Sequence, residues 1–374
     1  MRRKTLLALA LLVIVAAAVA ATVGLGSGAQ AAPARTKLTN VTLQLKWVTQ
    51  SQFAGYYAAV EKGYYKKLGL NVKIKVGGPD ITPEQVVLSG QADFGLDWLP
   101  NLFATREKGG KIVSVAQVFA RSGMTELTWK DSGISSIKEM RGKKVGVWCC
   151  GNEPELYAAL TKNGINPKKT SDVTIVNQPF DMNLFLQKKV DAAAAMTYNE
   201  LAQVLETKNP DTGKLYQLSD LNVFKMDSPA VGTGMLEDNI FVTEKYLNSN
   251  KATITKFLQG SFQGWIYCRD HVQDCTNIVL KNGPTLGHGH QLWEMNEINK
   301  LIWPNPNGIG TVPKKSIAQT ANIAKTYGVI KKLPSNATTY QYADKALNLL
   351  KKAGVDVWGK KYKPITVHVT EGGK

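Results

Sequence analysis

Two strand–loop–helix units constrain this chain more than any other feature. Residues 143–157, KKVGVWCCGNEPELY, begin with an alternating, β-rich run over Lys144–Trp148, which Cys149–Asn152 then break. From Glu153 a helix is predicted, with Pro154 in its first turn and Leu156, Tyr157 and Leu160 on one face. Residues 43–65, LQLKWVTQSQFAGYYAAVEKGYY, follow the same plan: a short strand, a polar loop, then a helix carrying Phe53, Tyr56, Tyr57 and Val60. The free N–H groups of such a turn suit a polar or anionic group, although an ordinary βα turn looks the same. Two such units about a hundred residues apart predict an α/β chain with two lobes facing across a cleft.

The rest of the chain fits that plan. Strands over Val41–Leu45, Val72–Val76, Phe94–Leu96 and Lys111–Phe119 alternate with helices, which implies a mostly parallel sheet. Met124–Trp129 is extended and crosses to the second lobe, whose further strands are Val173–Val176 and Val190–Met196. The glycine-rich run PAVGTGMLE (229–237) suits the return crossing, and the remainder is mainly helical with a loose basic end. The expected division is a leader over 1–31, lobe one from 40–123 plus 236–370, and lobe two over 124–235. Two crossings make a hinge, and a hinge makes a closing cleft.

Arg2, Arg3 and Lys4, the apolar run Thr5–Val23 and the small-x-small site Ala29-Gln30-Ala31 read as a secretory signal peptide; an uncleaved anchor is the alternative. Losing the leader lowers the formal charge from +17 by three, to +14. That balance favours acidic surfaces or anionic ligands, but scattered lysines on an exported chain are a poor match for nucleic acid. Cys268 and Cys275 flank a helix corner where a disulfide is expected. Cys149 and Cys150 are adjacent, either a strained vicinal disulfide or two loop-lining thiols. No metal site is expected, since no CxxC occurs and His271, His288, His290 and His368 are not at finger spacing; His288 and His290 read as surface residues of a glycine-rich loop.

The stretches LKWVTQSQFAGYYAAVEKGYYKKLGLNV, LSGQADFGLDWLP, IKEMRGKKVGVWCCGNEPEL, QPFDM and MTYNELAQVLE, in this order, resemble the periplasmic solute-binding proteins of ABC importers. The branch is the one related to thiamine pyrimidine synthase and to alkanesulfonate-binding proteins. The resemblance implies a type 2, two-lobed binding protein delivering a flat nitrogen heterocycle, riboflavin or an aminopyrimidine precursor of thiamine, to a membrane permease and its ATPase. It further implies a monomer in the periplasm or outside the cell, with no cofactor. The alternative is the synthase itself, an enzyme with a lysine just after its SGxxDxGL stretch, a histidine four residues on and a cysteine run. Here Asp97, Asn101 and VGTGMLE stand at those places, and a carboxylate cannot supply the amine a Schiff base needs.

Binding a ring takes flat apolar faces and a few polar groups. Trp47 and Tyr198 end strands in different lobes and are placed to clamp a ring, or else to pack in the core. Asp97 and Trp98 end another strand. Asn199 and Glu200 are candidates for ring nitrogens or an amine, although Glu200 equally suits a helix's first turn. Gln52 and Tyr56 are candidates for hydroxyl or carbonyl contacts, and Gly151, Asn152 and Glu153 for backbone donors.

Overall fold

The structure, a computed structural model, describes residues 37–149 and 151–374; the leader and Cys150 lie outside them. Ten strands follow one another: β1 (Thr39–Gln44), β2 (Leu70–Lys75), β3 (Phe94–Asp97), β4 (Ile112–Gln117), β5 (Met124–Trp129), β6 (Lys144–Val147), β7 (Thr174–Asn177), β8 (Ala192–Met196), β9 (Leu221–Lys225) and β10 (Asn239–Thr243). They form two five-stranded sheets, in the orders β2-β1-β3-β10-β4 and β7-β6-β8-β5-β9. In the first, β1 runs parallel to β2 and β3, and β10 is antiparallel to β3 and β4. In the second, β6 runs parallel to β7 and β8, and β5 is antiparallel to β8 and β9.

Each sheet therefore holds four strands of one direction and one reversed strand. The fold is α/β, as predicted, and the mostly parallel expectation holds for strand direction, although the reversed strand makes two of the four pairings in each sheet antiparallel. β10 is a correction: the sequence reading placed no strand at NIFVT, a run too short to show alternation. Its pairing partners are β3 and β4, which lie on the far side of the second sheet in the chain, so nothing local announces it.

Helices cover both sheets because their apolar faces must be buried. The long helix Lys251–Asp270 packs on helix Ala54–Glu61 at a distance set by two glycines: a Cβ built on Gly264 would lie 1.9 Å from the Gly55 carbonyl oxygen. Trp265, Phe257 and Phe262 fill the core beneath. Cys268 and Cys275 are joined between helix Lys251–Asp270 and helix Val272–Asn282, with Cα atoms 5.2 Å apart. No helix among the described residues is long and apolar enough to cross a membrane.

The end of the chain is not loose. Gly373 is buried, the Gly372 N–H donates to the Glu206 carbonyl at 3.0 Å, and Lys208 pairs with Glu371 at 2.6 Å. Val369 packs against the core of the second sheet.

Candidate functional site

The parallel strands of both sheets send their C-terminal ends toward one cavity of about 50 Å³. From the first sheet, the loop after β1 supplies Lys46, Trp47, Gln50 and Gln52, and the end of β3 supplies Trp98. From the second, Trp148 follows β6, Phe180 follows β7, and Met196, Tyr198, Asn199 and Glu200 follow β8. Asn152 completes the wall. Ligand sites in open α/β sheets form at such strand ends because the loops there converge and the backbone leaves polar groups to spare.

Aromatic faces dominate. Trp47 and Phe180 meet edge to face with ring centroids 4.3 Å apart, one from each sheet's loops. Tyr198 is buried against Phe119, centroids 6.4 Å apart, and its hydroxyl makes no hydrogen bond among the described residues. The buried indole N–H of Trp98 also has no partner among them, whereas that of Trp148 donates to the Pro179 carbonyl at 3.2 Å.

The polar groups are held from behind. Gln50 Nε2 donates to Gln52 Oε1 at 2.7 Å, and Gln52 Nε2 donates to both oxygens of Asp238 at 3.0 and 3.2 Å. Burial pushes Asp238 up to about 6, with Gln52 and Lys46 opposing. The short turn Ser51–Phe53 is anchored by helix His288–Ile302: the Ser51 N–H reaches Gln291 Oε1 at 2.6 Å, and Glu294 accepts from the Ser51 and Gln52 N–H groups at 3.3 Å each. Glu200 accepts from the Met196 N–H at 2.9 Å, and burial pushes its carboxyl up to about 7. It thus serves its own strand end from the first turn of helix Glu200–Leu205 and lines the cavity.

Lys46 carries the cavity's positive charge. Its Nζ lies 2.6 Å from Asp97 Oδ1 and 4.9 Å from the centre of the Trp98 ring. Burial alone would lower its pKa, but Asp97 outweighs that and the net shift is upward, so the amine stays an ammonium. A Schiff base with pyridoxal phosphate needs a neutral amine. Nor do the described residues include a cluster of three or more His, Cys, Asp or Glu suited to a metal ion. The residues present do not fit that cofactor chemistry.

Of the expected residues, Trp47, Gln52, Trp98, Asn152, Tyr198, Asn199 and Glu200 come together. The others do not line the cavity. Asp97 is spent on Lys46, the Trp98 N–H and Asn101. Tyr56 is buried against Trp265, ring centroids 5.7 Å apart, because the helices on both sides of its own leave no face open. Gly151 gives its N–H to Glu153 Oε2 at 2.9 Å, so these two satisfy each other. Lys46, Gln50, Trp148, Phe180 and Met196 were missed, although the strand-end rule that found Trp47 reaches Trp148 and Met196 too. His290 is a correction: it lies in a helix rather than a surface loop, with Nδ1 at 2.9 and 3.0 Å from the Glu206 oxygens and Nε2 at 3.0 Å from Asn199 Oδ1.

A family model described as "NMT1/THI5 like" matches residues 50–274. A formylaminopyrimidine-binding protein of Halalkalibacterium halodurans is 23% identical over 248 residues, 66% of this chain and 71% of the relative. A riboflavin-binding protein of Chloroflexus aurantiacus is 24% identical over 247 residues, 63% of this chain and 64% of the relative. A 4-amino-5-hydroxymethyl-2-methylpyrimidine phosphate synthase of Saccharomyces cerevisiae is 24% identical over 226 residues, 59% of this chain and 64% of the relative. Among solved structures, the periplasmic aliphatic sulphonate binding protein of Escherichia coli superposes with a TM-score of 0.59 at 16% identity, covering 80% of this chain and 95% of that one. That likeness shows the periplasmic binding protein fold.

Proposed function

The chain belongs to the NMT1/THI5-like family, and on that premise we propose that it is an extracytoplasmic substrate-binding protein of an ABC importer that captures a flat nitrogen heterocycle. The observation that carries this reading is the cavity: aromatic faces from both sheets enclose a slot lined by amides, one carboxyl, Tyr198 and Trp98, whose indole N–H has no partner among the described residues. Rings gain from such faces beyond simple area burial, and the polar edge fixes their orientation. The names of two relatives point to an aminopyrimidine or riboflavin as the ligand class.

In this reading, lobe one comprises residues 40–123 and 236–370, and lobe two comprises residues 124–235. In the closed form Trp47 meets Phe180 and both lobes face a permease, which an ATPase drives. The enzyme reading is disfavoured by the ion-paired state of Lys46 and by Asp97 and Asn101, which stand where the synthase family has its lysine and histidine.

A thermal-shift screen with riboflavin, flavin mononucleotide, formylaminopyrimidine, thiamine and alkanesulfonates tests it. A heterocycle that raises Tm in a concentration-dependent way supports binding, since a ligand stabilises only the state it occupies. A response to sulfonates alone would overturn the heterocycle assignment, and turnover of an aminopyrimidine precursor would overturn the transport role.

A further inference from the structure

Asn199 stands in the cavity wall, and the direction of its amide is fixed by groups outside the cavity. Its Oδ1 accepts from Gln203 Nε2 at 3.2 Å and faces His290 Nε2 at 3.0 Å. Gln203 Nε2 also donates to the Phe180 carbonyl at 3.3 Å. A main-chain carbonyl can only accept, so Gln203 must turn its NH2 group this way, and the Asn199 oxygen must face it. At the other end, His290 Nδ1 lies between the two Glu206 oxygens. A carboxylate also only accepts. Both neighbours of the imidazole are therefore acceptors, which requires a proton on each ring nitrogen.

The charges around His290 agree with that state. Glu206 and Glu200 approach from the helix after β8, Glu294 lies one turn on in the histidine's own helix, and Glu371, on the C-terminal segment packed there, is paired with Lys208. Burial alone would lower the histidine's pKa, but these carboxylates raise it to a net upward shift. The Asn199 Nδ2 group has no partner among the described residues, and the residue lines the cavity.

We propose that His290 is a positioning residue for ligand recognition: held as an imidazolium by Glu206, it locks Asn199 with its amino group toward the cavity, so that the cavity reads an acceptor atom on the ligand's edge. This rests on the reading of the cavity as a heterocycle site. Loss of the Nε2 proton sets two acceptors face to face, and turning the Asn199 amide to relieve them sets its NH2 group against that of Gln203. The donor offered to the ligand is loosened either way. Affinity for a ring read through a carbonyl or ring nitrogen therefore falls as pH rises through the titration of His290.

Calorimetric titration with riboflavin and with an aminopyrimidine, from about pH 5 to about pH 9, compares wild type with His290→Gln. The glutamine amide can still donate to Asn199 but cannot titrate. Asp238 titrates in both proteins and cancels in the ratio of the two affinities, which therefore reports His290 together with the two carboxyls its charge lowers, Glu200 and Glu294. The expected result is a wild-type to variant ratio that falls about tenfold across the window, with His290→Leu weak at every pH. A ratio independent of pH overturns the proposal. Nitrogen NMR of the ligand-free protein supplies a second readout: both His290 ring nitrogens protonated at neutral pH, and the Asn199 amide signal moving with the histidine's midpoint. A neutral His290 there overturns the proposal as well. If the coupling is present but neither ring binds, the positioning of Asn199 stands and the ligand reading fails.

Discussion

Lys46 and Asp97 come from the ends of neighbouring parallel strands and meet at 2.6 Å, both largely shielded from water. A charge removed from water is tolerated when it keeps its partner, and breaking such a pair leaves the survivor uncompensated. Asp97 also takes the Trp98 N–H at 2.6 Å and Asn101 Nδ2 at 3.1 Å, so it fixes the approach of the indole that lines the cavity. Asp97→Asn and Lys46→Met are each expected to cost about 3–5 kcal/mol of stability, since either leaves a buried charge without its partner, and the double variant markedly less than the two together. Urea denaturation of the two single variants and the double variant decides it; a double variant that loses the sum of the two single losses would show that the pair is not what holds this corner.

The glycine contact between two helices gives a second stability prediction. A Cβ on Gly264 cannot share space with the Gly55 carbonyl, so Gly264→Ala must push helix Lys251–Asp270 away from helix Ala54–Glu61. Overpacking of this kind costs about 1–3 kcal/mol, occasionally more. Gly78, around which a Cβ would meet nothing within 4 Å, is the control: Gly78→Ala should stay within about 0.5 kcal/mol of wild type. A Gly264→Ala protein as stable as the control would mean that the helices can separate freely.

These cases show what a sequence can reveal and why. Trp47, Trp98 and Tyr198 were legible because strand alternation ends just before each, and a chain leaving the C-terminal end of a parallel strand enters the cleft. The same rule, carried three residues past β7, would have reached Phe180. Other features depend on partners the chain brings from far away. β10 is recognised by β3 and β4, not by its own five residues. Tyr56 reads as a helix-face candidate until helices from much later in the chain close over it. His290 lay in HGH, where two glycines and a turn residue pattern suggest a loop. Its helical state and its two partners, Glu206 and Asn199, come from tertiary packing alone.

Ser122 joins two buried carboxyls and sets a pH dependence. Its hydroxyl lies 2.8 Å from Glu155 Oε2 and 2.8 Å from Glu237 Oε1, and accepts from the Met124 N–H at 3.1 Å. One hydroxyl proton cannot serve two carboxylates, so one acid holds a proton of its own. Glu237 Oε1 also accepts the Gly123 N–H at 2.8 Å, so of the two it is the first to ionise as pH rises. Burial, then the charge of Glu237, holds the Glu155 carboxyl well above its usual range, and burial pushes Glu237 up to about 8. A folded pKa above the unfolded one gives stability that is complete below the unfolded pKa and is lost as pH rises through the folded value. Tm is therefore expected to fall on going from about pH 6 to about pH 9, and Glu155→Gln, neutral throughout, to flatten that fall. A wild-type slope unchanged in the variant would rule out this pair as its source.

The clamp is the sharpest test of the cavity. Trp47 and Phe180 already touch across it at 4.3 Å, so a ring entering between the sheets must either separate them or stack on the pair. Tyr198 forms the floor, buried and braced by Phe119. Trp47→Ala and Tyr198→Ala are each expected to cost about 1–2 kcal/mol of binding, tenfold or more in affinity, and Phe180→Ala about 1 kcal/mol, because its ring is the most exposed of the three. The Trp47 and Phe180 losses should not add, since removing one wall lets the ligand shift against the other. Tyr198 and Trp47 have no shared ring contact, so their double variant should come closer to additivity. Calorimetry of the single and double variants with the best heterocycle measures all of this. If Trp47→Ala and Tyr198→Ala both bind within twofold of wild type while remaining folded, the ring does not lie between them and the cavity is not its site.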